Sequence, residues 1–136
     1  MKIQLNSRTT IGQVQDEFHS AFPYLQLAFY SKAHKAFELS PEEARITDRA
    51  QTVGHLRETP HDGPLYIEPD MMVWQLERLF ETEFGLHVQV LRKSRGQWLQ
   101  TSQTDNVTLE DQDARGRLYD VDEVEENTPL DYREQD

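Results

Sequence analysis

The sequence predicts an α+β fold: a tandem duplication of a β-α-β-β-α unit, merged into one pseudo-two-fold domain with a mixed sheet and helices on one face. Three observations predict it. The hydrophobic pattern of TTIGQVQDEFHSAFPYLQLAFYSK (residues 9–32) returns in MMVWQLERLFETEFGLHVQVLRK (residues 71–93), and self-similarity over a long stretch is the mark of an internal repeat. Within each copy the pattern switches from alternation to helical spacing and back, as a strand, helix and strand require. A unit of about 60 residues buries only about 60% of its unfolded surface, so a lone copy is marginal and two should share a core. Repeat 1 is placed at 1–60, repeat 2 at 61–120, with residues 121–136 as an acidic tail.

The alignment starts with Ile3-Gln4-Leu5 on Leu65-Tyr66-Ile67, an offset of 62 that sets Phe18 on Phe80 and Phe22 on Phe84. One residue drops out near Pro23/Gly85, and an offset of 61 then pairs Leu27 with Val88, Phe29 with Val90, Phe37 with Trp98 and Thr47 with Thr108. Residues 2–6 and 64–68 read as short alternating strands. Thr9 or Thr10, and Asp70, are N-cap candidates. The apolar stripes Ile11, Val14, Phe18, Ala21 and Met72, Val73, Leu76, Leu79, Phe80 then mark helices to about 21 and 83. Pro23 and Gly85 end them.

Leu25, Leu27, Phe29 and Leu86, Val88, Val90 alternate as half-buried strands, followed by basic turns. A strand-helix-strand connection is expected to be right-handed, making the first two strands of each copy parallel. A third strand near Ala36–Leu39 and Gln97–Thr101 should return as a hairpin, and a short second helix should follow Thr47 and Thr108. The segment Glu58–Pro64 is a turn-rich joint, too short for independent motion.

Charge is placed unevenly along the chain. The net charge is −11, yet residues 1–60 hold seven basic and seven acidic side chains. Residues 119–136 carry eight acids against Arg133, which predicts disorder or loose docking. Ten arginines against four lysines would suit a high-salt cytoplasm, but the neutral first half argues against a uniformly acidic surface. With no cysteine, disulfides and thiolate metal sites are excluded. No secretory signal pattern and no apolar run of about 20 residues is visible, so a soluble, cytoplasmic protein of bacterial type is expected, with no membrane association. The Asn106-Val107-Thr108 sequon is irrelevant in that compartment.

No motif announces chemistry. The six glycines form neither a dinucleotide nor a phosphate loop, and no serine sits in a nucleophile elbow. His19, His34, His55, His61 and His87 show no metal-ligand spacing, and His87 falls on the polar phase of its strand. Asp111-Gln-Asp113-Ala-Arg-Gly116 lacks the remaining positions of a calcium loop. No catalytic residue, cofactor or metal is therefore assigned.

Two surfaces stand out. Trp74 lies opposite the apolar stripe of its helix with Arg78 one turn on, the composition of a protein-binding hot spot; the competing reading is that the tail or linker covers it. Lys32, His34, Lys35 in the first basic turn and Arg92, Lys93, Arg95 in the second could together attract an anion, against the plainer reading of two solvated turns. Six charges on an acidic chain make a small footprint for nucleic acid, which is disfavoured. The stretch FGLHVQVLRKSRGQWLQTSQTDNVTLEDQ (84–112) resembles part of an uncharacterised family of bacterial proteins with no assigned activity. The resemblance fades over 33–62 and the tail, and it implies no catalytic residues.

These readings favour a non-enzymatic module that binds a protein partner or itself. A small enzyme with its site in the groove between repeats, and a weak anion binder, are the alternatives.

Overall fold

The computed structural model describes residues 1–31, 41–57, 61–101 and 106–120. Strand β1 (Lys2–Leu5) leads to helix α1 (Ile11–Ala21) and strand β2 (Leu25–Tyr30). A 3-10 turn at Glu42–Ala44 precedes the two-residue strand β3 (Arg45–Ile46) and the single-turn helix α2 (Val53–Leu56). Then come β4 (Gly63–Tyr66), α3 (Val73–Phe84), β5 (His87–Ser94), β6 (Gln97–Gln100) and α4 (Leu109–Tyr119). Among the described residues, four helices and two antiparallel sheets make an α+β fold.

The sheets correct the expected strand arrangement. β1 pairs with β4 in a two-stranded ribbon, and β3-β2-β5-β6 form a four-stranded sheet; every pairing among the described strands is antiparallel. A mixed sheet with β1 and β2 parallel is therefore not formed. The right-handed crossover rule applies when both strands join one sheet. Here α1 carries the chain from one sheet to the other, and each strand pairs with one from the far half of the chain. Ile3 lies opposite Leu65, and Ala28 opposite Gln89.

Local chemistry fixes the helix ends. Thr10 caps α1: its hydroxyl accepts from Gln13 N–H at 3.1 Å while Gln13 Oε1 accepts from Thr10 N–H at 2.8 Å, a reciprocal box. α3 starts at Met72 rather than Asp70, with Gln75 Oε1 accepting from Met72 N–H at 2.9 Å. Gly85 ends α3 in the left-handed region at φ 64°, where a side chain would be strained. α4 is capped by Thr108 as expected, but α2 is capped by Thr52, not positioned by Thr47. The third strand of the first half is β3 at 45–46; Ala36–Leu39 lies outside the described residues. The cause is a difference in spacing. β5 and β6 are joined by the two residues Arg95-Gly96, both at positive φ (50° and 78°), whereas residues 31–44 separate β2 from β3.

One apolar cluster binds the chain together. Ten of its buried side chains come from Ile3 to Val53 and ten from Leu65 to Leu109. It fills the space between the inner face of the β1–β4 ribbon, the stripes of α1 and α3, and the sheet face carrying Leu25, Leu27, Phe29, Val88 and Val90. Ala21 is exposed, whereas Gln15 and Glu77 are buried on the inner sides of their helices. The opposite sheet face holds a second, smaller cluster of Ala28, Tyr30, Ala44 and Leu91, with Trp98 packed against it.

Candidate functional site

Where β2 ends and β5 begins, the two halves leave a crevice of about 170 Å³. Tyr30, the last residue of β2, lies directly opposite His87, the first of β5. The α3–β5 junction supplies Gly85 and Leu86, and the α2 segment supplies Gln51, His55 and Leu56; Phe29 and Ser31 complete the wall. The Thr52 hydroxyl accepts from His55 N–H at 3.3 Å and so fixes the short helix that presents the imidazole.

Two polar atoms here are shut away from water without a hydrogen-bond partner: the Tyr30 hydroxyl oxygen and His87 Nδ1. Glu81 Oε1 stands 4.0 Å from His87 Nδ1, beyond hydrogen-bond range. Burial pushes the Tyr30 phenol above its ordinary value; Arg45, its β3 partner, opposes the shift, and Glu42 and Glu77 add to it. Chemically the crevice combines apolar residues with hydroxyl, amide and imidazole groups. Among the described residues no group of three histidines or acids is placed to hold a metal ion. A larger hollow of about 520 Å³ is a trough along β1 and α1, lined by Gln4, Asn6, Arg8, Thr9, Gln13, Asp16 and Glu17.

The residues singled out from the sequence fall elsewhere. Trp74 is half-buried near the start of α3 and Arg78 is exposed one turn later, but the guanidinium does not sit over the indole; the cation–π contact found among the described residues is Arg117 over Tyr24, at 5.9 Å. Lys32, His34 and Lys35 lie outside the described residues. Arg92 corrects the second basic turn: it is 1% exposed, opposite Leu25 in the ladder, with its Cγ close under Gly116 of α4. It is core, not surface, because β5 runs on to Ser94 and α4 closes over it. Lys93 pairs with Asp120 at 3.5 Å, and Arg95 is exposed in the turn.

Sequence reasoning passed over Tyr30, weighed His55 only as a metal ligand and read His87 as solvated. The two strand ends and α2 are far apart in the chain, so no linear spacing could join them. The one available signal was the polar phase of His87 beside an apolar strand.

A different surface is offered by β6, an outer strand of the four-stranded sheet. Its pairing with β5 turns the Gln97 and Leu99 peptides inward, since the two-residue turn closes on Ser94 and Gln97. The Trp98 peptide therefore points outward, and Leu99 is 40% exposed beside it. No helix of the described residues is long and apolar enough to cross a membrane. Compared with known proteins, the chain matches no family model, no curated protein and no solved structure.

Proposed function

We propose that the chain is a non-enzymatic binding module, a tandem duplication of one β-α-β-β-α unit closed about a pseudo-two-fold axis, that associates with a second copy of itself along β6. The duplication is supported by the way the core pairs off. In chain order, its ten side chains from the first half meet counterparts of similar type in the second: Ile3 with Leu65, Val14 with Leu76, Phe18 with Phe80, Phe22 with Phe84, Val53 with Leu109. The joints match too. Ile11 N–H donates to Gln51 O as Val73 N–H does to Val107 O, and Val53 N–H to Thr9 O as Leu109 N–H does to Met71 O. Matching Thr52 with Thr108 requires an offset of 56, which absorbs the longer β2–β3 connection.

The observation that carries self-association is the outward Trp98 peptide beside exposed Leu99. Natural sheets guard such edges with charge or proline, and Gln97-Trp98-Leu99-Gln100 has neither. Antiparallel pairing with a second copy sets outward residues against outward ones, Trp98 against Gln100 with Leu99 facing Leu99 on the two-fold axis, so the uncharged strand meets itself without like-charge contact. Light scattering across a dilution series tests it: a concentration-dependent dimer is expected, and Leu99→Lys should abolish it while Leu118→Lys on the exposed face of α4 should not. A chain that stays monomeric throughout, or a dimer indifferent to Leu99→Lys, would refute the reading.

A further inference from the structure

The ribbon of β1 and β4 turns one face to the core and the other to solvent. Ile3, Leu5, Leu65 and Ile67 point inward, so Lys2, Gln4, Pro64 and Tyr66 alternate onto the outer face. Gln4 borders the trough between β1 and the outer side of α1. At about 520 Å³ this hollow falls within the roughly 300–1,000 Å³ of ordinary ligand clefts. The ribbon is a separate sheet from the one that ends in β6, so the trough and the self-association edge are independent.

We propose that this trough binds an uncharged oligosaccharide, with Tyr66 as the stacking surface at its rim. The walls argue for hydroxyl groups. β1 and the loop after it bring Arg8 and the amides of Gln4 and Asn6, while α1 brings Gln13, Asp16 and Glu17. All six side chains are open to solvent. Asn6 Oδ1 accepts from Arg8 N–H at 2.8 Å and Gln13 Oε1 from Thr10 N–H at 2.8 Å, which leaves the NH₂ of each amide to donate. Asp16 Oδ1 accepts from Arg49 at 2.5 Å, which leaves Oδ2 to accept. One wall is thus rich in donors and the other carries two carboxylates. A hydroxyl both donates and accepts without charge, so neighbouring hydroxyls of a sugar ring bridge the two walls.

The same composition argues against other ligands. A phosphate or carboxylate meets Asp16 and Glu17, and a cation meets Arg8. Among the described residues no apolar side chain lines the trough, which disfavours a lipid. An extended peptide is disfavoured by the strand edge itself. Thr9 Oγ1 accepts from Asn6 N–H at 3.1 Å and donates to Gln4 O at 3.4 Å, taking up main-chain groups that an added strand would pair with.

Tyr66 answers the apolar half of a sugar. It is 58% exposed, lies opposite Lys2 and stands diagonal to Gln4 on the same face, a separation that an aromatic side chain spans. The C–H face of a pyranose packs on such a ring while its hydroxyls reach the trough.

The test is titration of the full chain with cellotriose and with maltotriose, followed by NMR of side-chain amides and aromatic rings. With at least one of them, saturable shifts are expected at Gln4, Asn6, Gln13 and Tyr66, with Gln97 and Gln100 unmoved, at a Kd of about 0.1–10 mM. Arg8→Ala, Glu17→Ala and Tyr66→Ala should each weaken binding about tenfold. Their melting temperatures should match the parent's, since all three side chains are exposed. The affinity should be the same in about 0.05 M and 0.5 M salt, because the ligand is neutral. The proposal is overturned if neither sugar gives a saturable shift by about 20 mM, or if the three variants bind as tightly as the parent. It is equally overturned if trigalacturonate or the peptide Gly-Ser-Asn-Ser-Gly binds the same residues more tightly, which would make the trough an anion site or a peptide groove.

Discussion

Gln15 and Glu77 perform one task with opposite polarity. Gln15 reaches from α1 so that its Nε2 donates to the Leu27 carbonyl at 2.8 Å, while Glu77 reaches from α3 so that its Oε2 accepts from Val90 N–H at 2.9 Å. Both side chains are buried. β3 and β6 each cover only part of the central strands, and the two helix side chains satisfy peptide groups on the outer edges of β2 and β5 beyond their reach.

Glu77→Ala strips the partner from a buried amide, so a loss of about 1–3 kcal/mol is expected. Gln15→Ala should cost a similar amount, because Arg49 Nε also donates to Gln15 Oε1 at 3.1 Å. Urea unfolding of each variant measures the difference. A change within about 0.5 kcal/mol, typical of a surface substitution, would show that the edges do not need these side chains.

Gly116 marks where α4 touches the body of the fold. A Cβ there would stand 2.6 Å from the Tyr24 Cβ and 3.3 Å from the Arg92 Cγ. Gly116→Ala must push the helix outward, costing about 1–3 kcal/mol by overpacking. Ala114→Gly, on the exposed side of the same helix, should cost only about 0.5–1 kcal/mol through helix propensity. The order of the two melting temperatures checks the seat of α4.

Tyr30 should give stability a pH limit on the alkaline side. Its proton is held more tightly in the folded chain than at the ordinary value of 10.0, chiefly because the ring is buried. As pH rises, the unfolded chain therefore loses this proton first. The contribution is complete below pH 10.0 and is lost as pH climbs through the raised value. Tyr30→Phe should show a smaller fall in melting temperature between about pH 9 and 11 than the parent, the other tyrosines being common to both. Identical alkaline profiles would contradict it.

Neither half should fold alone. Residues 1–57 and 61–120, expressed separately, each keep ten of the twenty side chains of the main cluster and lose the strands that pair with β1 and β2, or with β4 and β5. Each should give a collapsed, poorly dispersed NMR spectrum, and mixing the two should restore dispersion. A half that folds independently would mean the common core is dispensable.

Periodicity made much of this fold legible. The strand alternation of Leu25-Leu27-Phe29, the helical spacing of Val73-Leu76-Phe80 and the stops at Pro23 and Gly85 all lie within one element, where local rules govern. What escaped was decided between elements. β1 pairs with a strand about 60 residues on, so a rule for neighbours in one sheet misled. Arg92 read as surface because its own neighbours are basic, while the helix that buries it begins at Leu109. Thr47 stood in for Thr52 because the alignment assumed equal connections in both halves. The crevice was the least legible feature, being assembled from three separate stretches that share no motif.

The ribbon of β1 with β4 has a consequence for synthesis. Strand β1 finds its partner only after residue 63, and the last side chain of the main cluster is Leu109. Until that leucine has cleared the ribosome, Ile3, Leu5 and Phe18 have no finished interior to enter, so the nascent chain carries these apolar residues uncovered while about a hundred more are added.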